Sequence, residues 1–189
     1  MIGARLAAPR RAAVMTSLVL AAAVLRAALL PLGDPFSAAV FAACLLGITA
    51  AGGVSLNDAV RWGRGRAIVA GIGVGVLLIA PLVGGGMTGR PLAAFWSWAL
   101  IAALVATLEE TAIRGVLYQH WRDEAGTLTA IIIGAAVFAL IHLFRYGVAA
   151  MPLDFSVGLA LGGLRAISGR ILPCAVAHTM ADWGAWFWA

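Results

Sequence analysis

Long apolar runs alternate with short polar clusters along the whole chain. Each run is close to the roughly 20 residues that an α-helix needs to cross a hydrocarbon core about 30 Å thick. Seven such runs lie at about residues 12–32, 36–56, 67–83, 92–121, 127–146, 152–168 and 170–188. None shows the alternation of a barrel strand, and lipid offers no partner to backbone polar groups, so helices are favoured. The pattern predicts an all-α fold, a polytopic transmembrane helical bundle of about seven spans.

Composition agrees with a membrane protein. Of the 189 residues, 63% are hydrophobic and only 11% are charged, whereas about a quarter of the residues of a soluble domain are charged. The connections between the runs are too short for a soluble domain. We therefore expect a multi-pass protein of the cell membrane, with the lipid bilayer as its surroundings.

Every basic residue is arginine, and the arginines are unevenly placed. The odd-numbered connections hold only Arg90 and Arg145. The remaining loop arginines precede the first run or follow the even-numbered runs: Arg5, Arg10, Arg11, Arg61, Arg64, Arg66, Arg122, Arg165 and Arg170. The positive-inside rule then predicts a cytoplasmic N-terminus and, with seven spans, an external C-terminus. These arginines form no basic stripe, so the net charge of +5 predicts no nucleic-acid partner.

Other sequence features carry little chemistry. The arginine-rich start could be read as a signal peptide, but a first membrane anchor is favoured, since six more hydrophobic segments follow. Cys44 and Cys174 lie in apolar runs and form neither a disulfide framework nor a metal motif. Gly71 and Gly75 have the spacing of small residues that pack helices together in lipid.

A small set of ionisable side chains lies deep in the runs of the second half. Buried charges in a membrane are expensive to maintain and are by default functional. The set comprises Glu109, Glu110, Arg114, His142, His178 and Asp182. Arg26 is isolated in the first run, where we expect it to snorkel or to pair with Asp34, without a role in chemistry.

The adjacent carboxylates divide between two roles. Glu110 and Arg114 are four residues apart with the glutamate first, the favourable order for an ion pair on one helix face. Glu109 lies about 100° away around the helix and is predicted to keep a free carboxylate. A carboxylate facing a polar cavity is a plausible general base for water.

Two other helices can bring histidines to Glu109. Glu109 precedes Arg122 by 13 residues and His142 follows Leu128 by 14, so both lie about 20 Å from one turn and at the same depth. His178 and Asp182 share one face of the last helix. A lone buried histidine is more often a core residue than a catalyst, but polar groups converging from three helices favour a site.

Three motifs result: Glu109-Glu110-x-x-x-Arg114-Gly115, then Phe138-x-x-x-His142, then His178-x-x-x-Asp182. In this order they resemble the motifs of the CPBP family of intramembrane proteases, which includes CAAX prenyl endopeptidases and bacteriocin-processing or bacteriocin-immunity proteins. The resemblance covers about residues 92–185. It implies a division into N-terminal transmembrane helices (1–91) and a catalytic helical core (92–189) within one membrane domain.

The resemblance implies hydrolysis of a peptide bond in a membrane-anchored protein or a CAAX-like peptide substrate. Glu109 with His142 would activate the attacking water, and Glu110 with Arg114 would hold the helix and the local field. His178 and the residue at 182 would stabilise the oxyanion. Many relatives have Asn where this chain has Asp182, and an ionised Asp only accepts hydrogen bonds. Asp182 must then be protonated, orient His178 or help to hold a cation.

Two questions stay open at the level of sequence. Glu109, His142 and His178 are a possible set of zinc ligands, but the motifs are not those of a zincin, and a metal-free glutamate and histidine mechanism is slightly favoured. The activity itself has two rivals. One is a non-catalytic immunity or scaffold protein of the same family, which would have no need for these residues. The other is a small proton-coupled or cation-coupled transporter, for which no inverted repeat is evident.

Overall fold

A computed structural model describes residues 8–54 and 64–188. In these two ranges all regular structure is helical, which confirms the predicted helical bundle. Arg5 and Arg61, which enter the topology prediction, lie outside the described residues. The long helices, in chain order, are α1 (Ala8–Leu29), α2 (Asp34–Ala51), α3 (Arg64–Ile79), α4 (Leu92–Ala125), α5 (Thr127–Tyr146), α6 (Met151–Ser168) and α7 (Leu172–Trp188).

Five of these helices are long and apolar enough to cross a membrane: α1, α2, α4, α5 and α6. The helices α3 and α7 have 16 and 17 residues, about 24–26 Å at 1.5 Å per residue, which is shorter than the hydrocarbon core. Length and composition therefore support five of the seven predicted spans. Arg165, which the topology prediction assigned to a connection, lies inside α6 and is buried.

Small residues allow the closest helix contacts. The helix α3 packs extensively against α7, and a Cβ at Gly71 would lie 2.7 Å from the carbonyl oxygen of Pro173. The helix α6 packs against α5 in the same way, because a Cβ at Gly158 would lie 2.7 Å from the Cα of Ala135. In lipid such close approach replaces the hydrophobic effect as the source of helix association. The predicted packing role of Gly71 is confirmed.

The helix α4 is not uniform. Its first part, Leu92–Glu110, is α-helical, the segment Thr111–Leu117 is π-helical, and Tyr118–Ala125 is α-helical again. A π-helical turn opens the backbone hydrogen-bond ladder, and such turns are frequent at functional sites. Here Arg165 donates a hydrogen bond from Nε to the carbonyl oxygen of Arg114, at 2.8 Å. The turn begins directly after the two glutamates.

The N-terminal helices complete the bundle around this region. The helix α1 contacts α2 and α5, and α2 contacts both the first part and the π-helical part of α4. The two carboxylates are consequently enclosed by helices from both halves of the chain. Both are almost inaccessible, with Glu109 exposed by 3% and Glu110 by 0%.

Candidate functional site

Glu110 lies at the centre of a buried hydrogen-bond network. Its Oε1 accepts from Nη1 of Arg114 at 2.9 Å, which is the predicted ion pair. The same oxygen lies 3.0 Å from Nδ1 of His178 on α7. The second arm of Arg114 donates to the carbonyl oxygen of Gly158 at 3.1 Å, and its guanidinium lies over the ring of Phe138. Glu110 and Arg114 therefore tie α4 to α5, α6 and α7.

Glu109 faces the two histidines. Its Oε2 lies 4.0 Å from Nε2 of His142 and 3.8 Å from Nε2 of His178. The approach of His142 from α5 agrees with the depth predicted from the α4–α5 turn. These separations exceed direct hydrogen-bond length and suit a small group held between the three side chains.

Glu109 has a charged neighbour that the prediction of a free carboxylate left out, and Arg26 does not pair with Asp34, which was one of the two expectations for it. Nη1 of Arg26, on α1, lies 3.6 Å from Oε1 of Glu109. Asp34 instead forms a two-pronged ion pair with Arg145, with distances of 2.6 and 3.1 Å. The charged cluster thus spans four helices rather than three. The hydrophobic pattern could not show which helices become neighbours, but a charge in the middle of the first run was itself a functional signal.

Both histidines are held by their Nδ1 atoms. Nδ1 of His142 lies 2.8 Å from the carbonyl oxygen of Phe138, which can only accept, so this nitrogen carries the proton. Nδ1 of His178 likewise faces an acceptor, the Glu110 carboxylate, so this nitrogen also carries a proton. In the neutral form of each ring, Nε2 is then an unprotonated acceptor directed towards Glu109. This orientation suits a base that shares a proton with water, and it also suits a metal ligand.

A cavity of about 240 Å³ opens beside this cluster, and Arg26, Glu109, His142, Arg145 and Asp182 line it. It lies among α1, α2, α4, α5 and α7, at the end of the bundle where α1 connects to α2. Oδ1 of Asp182 is 3.7 Å from Nε2 of His178. The cavity is large enough to admit water to Glu109.

The side chains fit a divalent cation. One ligand atom from each of Glu109, His142 and His178 lies within 4.8 Å of the others. Zinc bonds of about 2.0–2.1 Å require ligand atoms somewhat closer than the 3.8–4.0 Å between Glu109 and the imidazole nitrogens. A small rotation of the side chains would close that difference. Nδ1 of His142 faces a backbone carbonyl and Nδ1 of His178 faces a carboxylate. Metal-bound histidines donate from their second ring nitrogen to the same kinds of acceptor.

The fold and the site together define a polytopic helical membrane protein with a buried cluster of carboxylates, imidazoles and arginines. Residues 91–184 match the family model described as "Type II CAAX prenyl endopeptidase Rce1-like". This part of the chain, about half of its length, belongs to that family, which confirms the predicted membership. The family supports protease activity and membrane-associated peptide substrates in general terms. Comparisons with curated proteins and with solved structures gave no match.

Proposed function

We propose that this protein is an intramembrane endopeptidase that hydrolyses a peptide bond of a membrane-associated substrate, using water activated by Glu109 and His142. One observation carries the proposal. A buried carboxylate oxygen faces two imidazole Nε2 atoms, at 4.0 and 3.8 Å, on the wall of a cavity. A water molecule between them could hydrogen-bond to the carboxylate while it attacks a carbonyl carbon.

The reaction balances with these groups alone. The water oxygen bonds to the carbonyl carbon, the π pair moves to the carbonyl oxygen, and Glu109 takes the water proton. When the tetrahedral intermediate collapses, the C–N bond breaks and the same proton passes to the leaving nitrogen. His142, held by Phe138 at 2.8 Å, orients the water. The products are a carboxylic acid and an amine.

Glu110 and Arg114 act as positioning residues in this proposal. Glu110 accepts hydrogen bonds at Oε1 from both Arg114 and His178. Unlike Glu109, it is not among the described residues that line the cavity, so it is poorly placed to act as a base for water there. Through His178 it fixes the imidazole that faces Glu109. The assignment of roles follows from these partners. Glu109 has neighbours beyond hydrogen-bond distance, whereas Glu110 is already bonded.

A divalent metal such as zinc, if bound by Glu109, His142 and His178, would supply Lewis-acid activation of the same water. The metal-free scheme needs no further residue and is the one we propose. Asp182 lies 3.7 Å from Nε2 of His178, and its charge would attract that ring when the imidazole is protonated.

The test is cleavage by purified protein in lipid nanodiscs. The probe is a randomised peptide library read by mass spectrometry, in one set with a farnesylated cysteine and in a second set without it. We expect cleavage in at least one set, abolished by Glu109→Ala and by His142→Ala in proteins that keep their thermal stability. Cleavage that survives both substitutions would overturn the proposed mechanism. No cleavage of either set by the wild-type protein would favour the non-catalytic immunity or scaffold function.

We also propose that the N-terminus is cytoplasmic, with residues 1–91 and 92–189 forming one membrane domain. The uneven arginines support this orientation. The α4–α5 turn, next to Arg122, would then face the cytoplasm. Cysteine placed at Asp123, which is exposed, should react with an impermeant maleimide only in inverted vesicles. Reaction in intact cells would indicate the opposite orientation, with the α4–α5 turn outside the cell.

A further inference from the structure

The helix α1 places a cation in the cavity, outside the part of the chain that matches the family model. Arg26 lies between Ala23 and Ala27 on the cavity wall, and these small neighbours leave its guanidinium accessible. Its Cζ lies 5.0 Å from the centre of the Phe41 ring, which supports one face of the guanidinium. Packing against the Phe41 ring therefore helps to hold the guanidinium in the cavity.

Arg26 has hydrogen-bond donors to spare. A guanidinium carries five N–H donors, yet the carboxylate oxygen of its ion-pair partner Glu109 is 3.6 Å away and beyond hydrogen-bond distance. Nε of Arg26 is buried and has no hydrogen-bond partner among the described residues. Buried donors are normally satisfied, so a guanidinium with open donors on a cavity wall points to a ligand that brings an acceptor.

The second arginine of the cavity provides a comparison. Arg145 has both of its terminal nitrogens occupied by the carboxylate of Asp34. Among the described residues that line this cavity, Arg26 is therefore the arginine whose donors remain open. It is also the one beside Glu109, where the carbonyl of a substrate would be attacked.

Such a donor would accelerate the proposed reaction. Attack by water places a negative charge on the former carbonyl oxygen, and preorganised donors at that point contribute strongly to catalysis. The last helix carries Asp182 at the end of the His178-x-x-x-Asp182 motif. An ionised carboxylate accepts hydrogen bonds and repels an oxyanion. An ionised Asp182 on the last helix thus offers no donor, while the first helix offers the guanidinium of Arg26.

We propose that Arg26 is a catalytic residue of this site, donating hydrogen bonds to the oxyanion of the tetrahedral intermediate. The inference rests on the proposed hydrolysis and adds a residue to it. As the water oxygen bonds to the carbonyl carbon, the π pair moves to the oxygen held by Arg26. Collapse returns that pair and expels the amine, which receives the proton from Glu109. Arg26 keeps its charge throughout.

The test uses the library peptide that the wild-type protein cleaves best, with kcat and KM measured for Arg26→Gln and Arg26→Lys. Loss of one oxyanion donor lowers kcat by about 10²–10³, so we expect a loss of this size for Arg26→Gln with little change in KM. Arg26→Lys keeps the charge and should retain part of the rate. A phosphonamidate analogue of the peptide, which mimics the intermediate, should lose affinity for Arg26→Gln in proportion to kcat/KM.

Substitutions of Asp182 test whether Arg26 donates hydrogen bonds to the oxyanion or only balances charge. Asp182→Asn supplies a neutral donor, whereas Asp182→Leu removes the same charge without a donor. In the Arg26→Gln background, Asp182→Asn should recover at least about tenfold in kcat, and Asp182→Leu should not. Equal recovery by both variants would show that Arg26 only balances charge, and would overturn the inference.

The variants distinguish failure of the inference on Arg26 from failure of the proposed hydrolysis. If wild-type cleavage is lost in Glu109→Ala but unchanged in Arg26→Gln, the inference on Arg26 fails and the proposed hydrolysis stands. If Glu109→Ala cleaves normally, the proposed function itself fails. Arg122→Gln is the matched control, because Arg122 is exposed at the end of α4 and pairs with Asp123. It should cleave like the wild type.

Discussion

The Glu110–Arg114 pair allows a quantitative prediction of stability. Arg114→Met keeps an unbranched apolar stem and removes the guanidinium with its charge. Both partners are buried, with Arg114 exposed by 1% and Glu110 by 0%. The substitution leaves a buried carboxylate whose remaining partner is His178, at 3.0 Å. We expect the protein to fold with a clearly reduced free energy of unfolding.

Two estimates of the decrease in the free energy of unfolding agree. Arg114 donates two buried hydrogen bonds, at 2.9 and 3.1 Å, and bonds to charged groups contribute about 1.5–3 kcal/mol each. Breaking a buried ion pair by removing one partner costs about 3–5 kcal/mol. His178 compensates part of the stranded charge, so we expect a loss near the lower end, about 3 kcal/mol.

The assay is SDS-induced unfolding in mixed micelles, followed by tryptophan fluorescence. The double variant Arg114→Met with Glu110→Gln removes both charges and keeps an acceptor for His178. It should be more stable than Arg114→Met alone by about 1–2 kcal/mol. Arg122→Met, which breaks an exposed pair, should change stability by less than about 1 kcal/mol. A loss below about 1 kcal/mol for Arg114→Met, or a double variant less stable than the single one, would refute the reasoning.

Two further predictions concern packing and metal. Gly71→Ala should lower the thermal unfolding temperature, because its Cβ would lie 2.7 Å from a backbone oxygen of α7. Gly73→Ala should not lower it, because no atom lies within 4 Å of the added Cβ. Equal effects of the two variants would contradict the packing of α3 against α7. Cleavage should persist after treatment with a strong chelator, since the proposed water activation uses Glu109 and His142 alone. Loss of activity that zinc restores would instead assign the metal to Glu109, His142 and His178.

Local spacing made part of the site predictable. The Glu110–Arg114 pair follows from the helical repeat, and counting residues back from the α4–α5 turn places His142 opposite Glu109. Both depend only on helix geometry and one short connection. The helical class of the fold follows from run length and from the need to satisfy backbone groups in lipid.

The rest depends on how helices are ordered around the bundle. The contacts of Arg26 with Glu109 and of His178 with Glu110 join residues 83 and 68 positions apart, and no periodicity encodes such neighbours. The π-helical turn after Glu110 is stabilised by Arg165, again from a distant helix. The sequence marked Arg26 as a charge inside the first run, but it indicated neither its partner nor a role in the site.

The central claim is that Glu109 is the base. Its most direct test is kcat/KM of Glu109→Gln in nanodiscs, because glutamine keeps the size of the side chain and cannot take the water proton. Glu124→Gln, the same change at an exposed position of α4, is the control. The account predicts a loss of about 10²–10⁴ for Glu109→Gln at unchanged thermal stability, with Glu124→Gln equal to the wild type. Cleavage by Glu109→Gln within about tenfold of the wild type would contradict it.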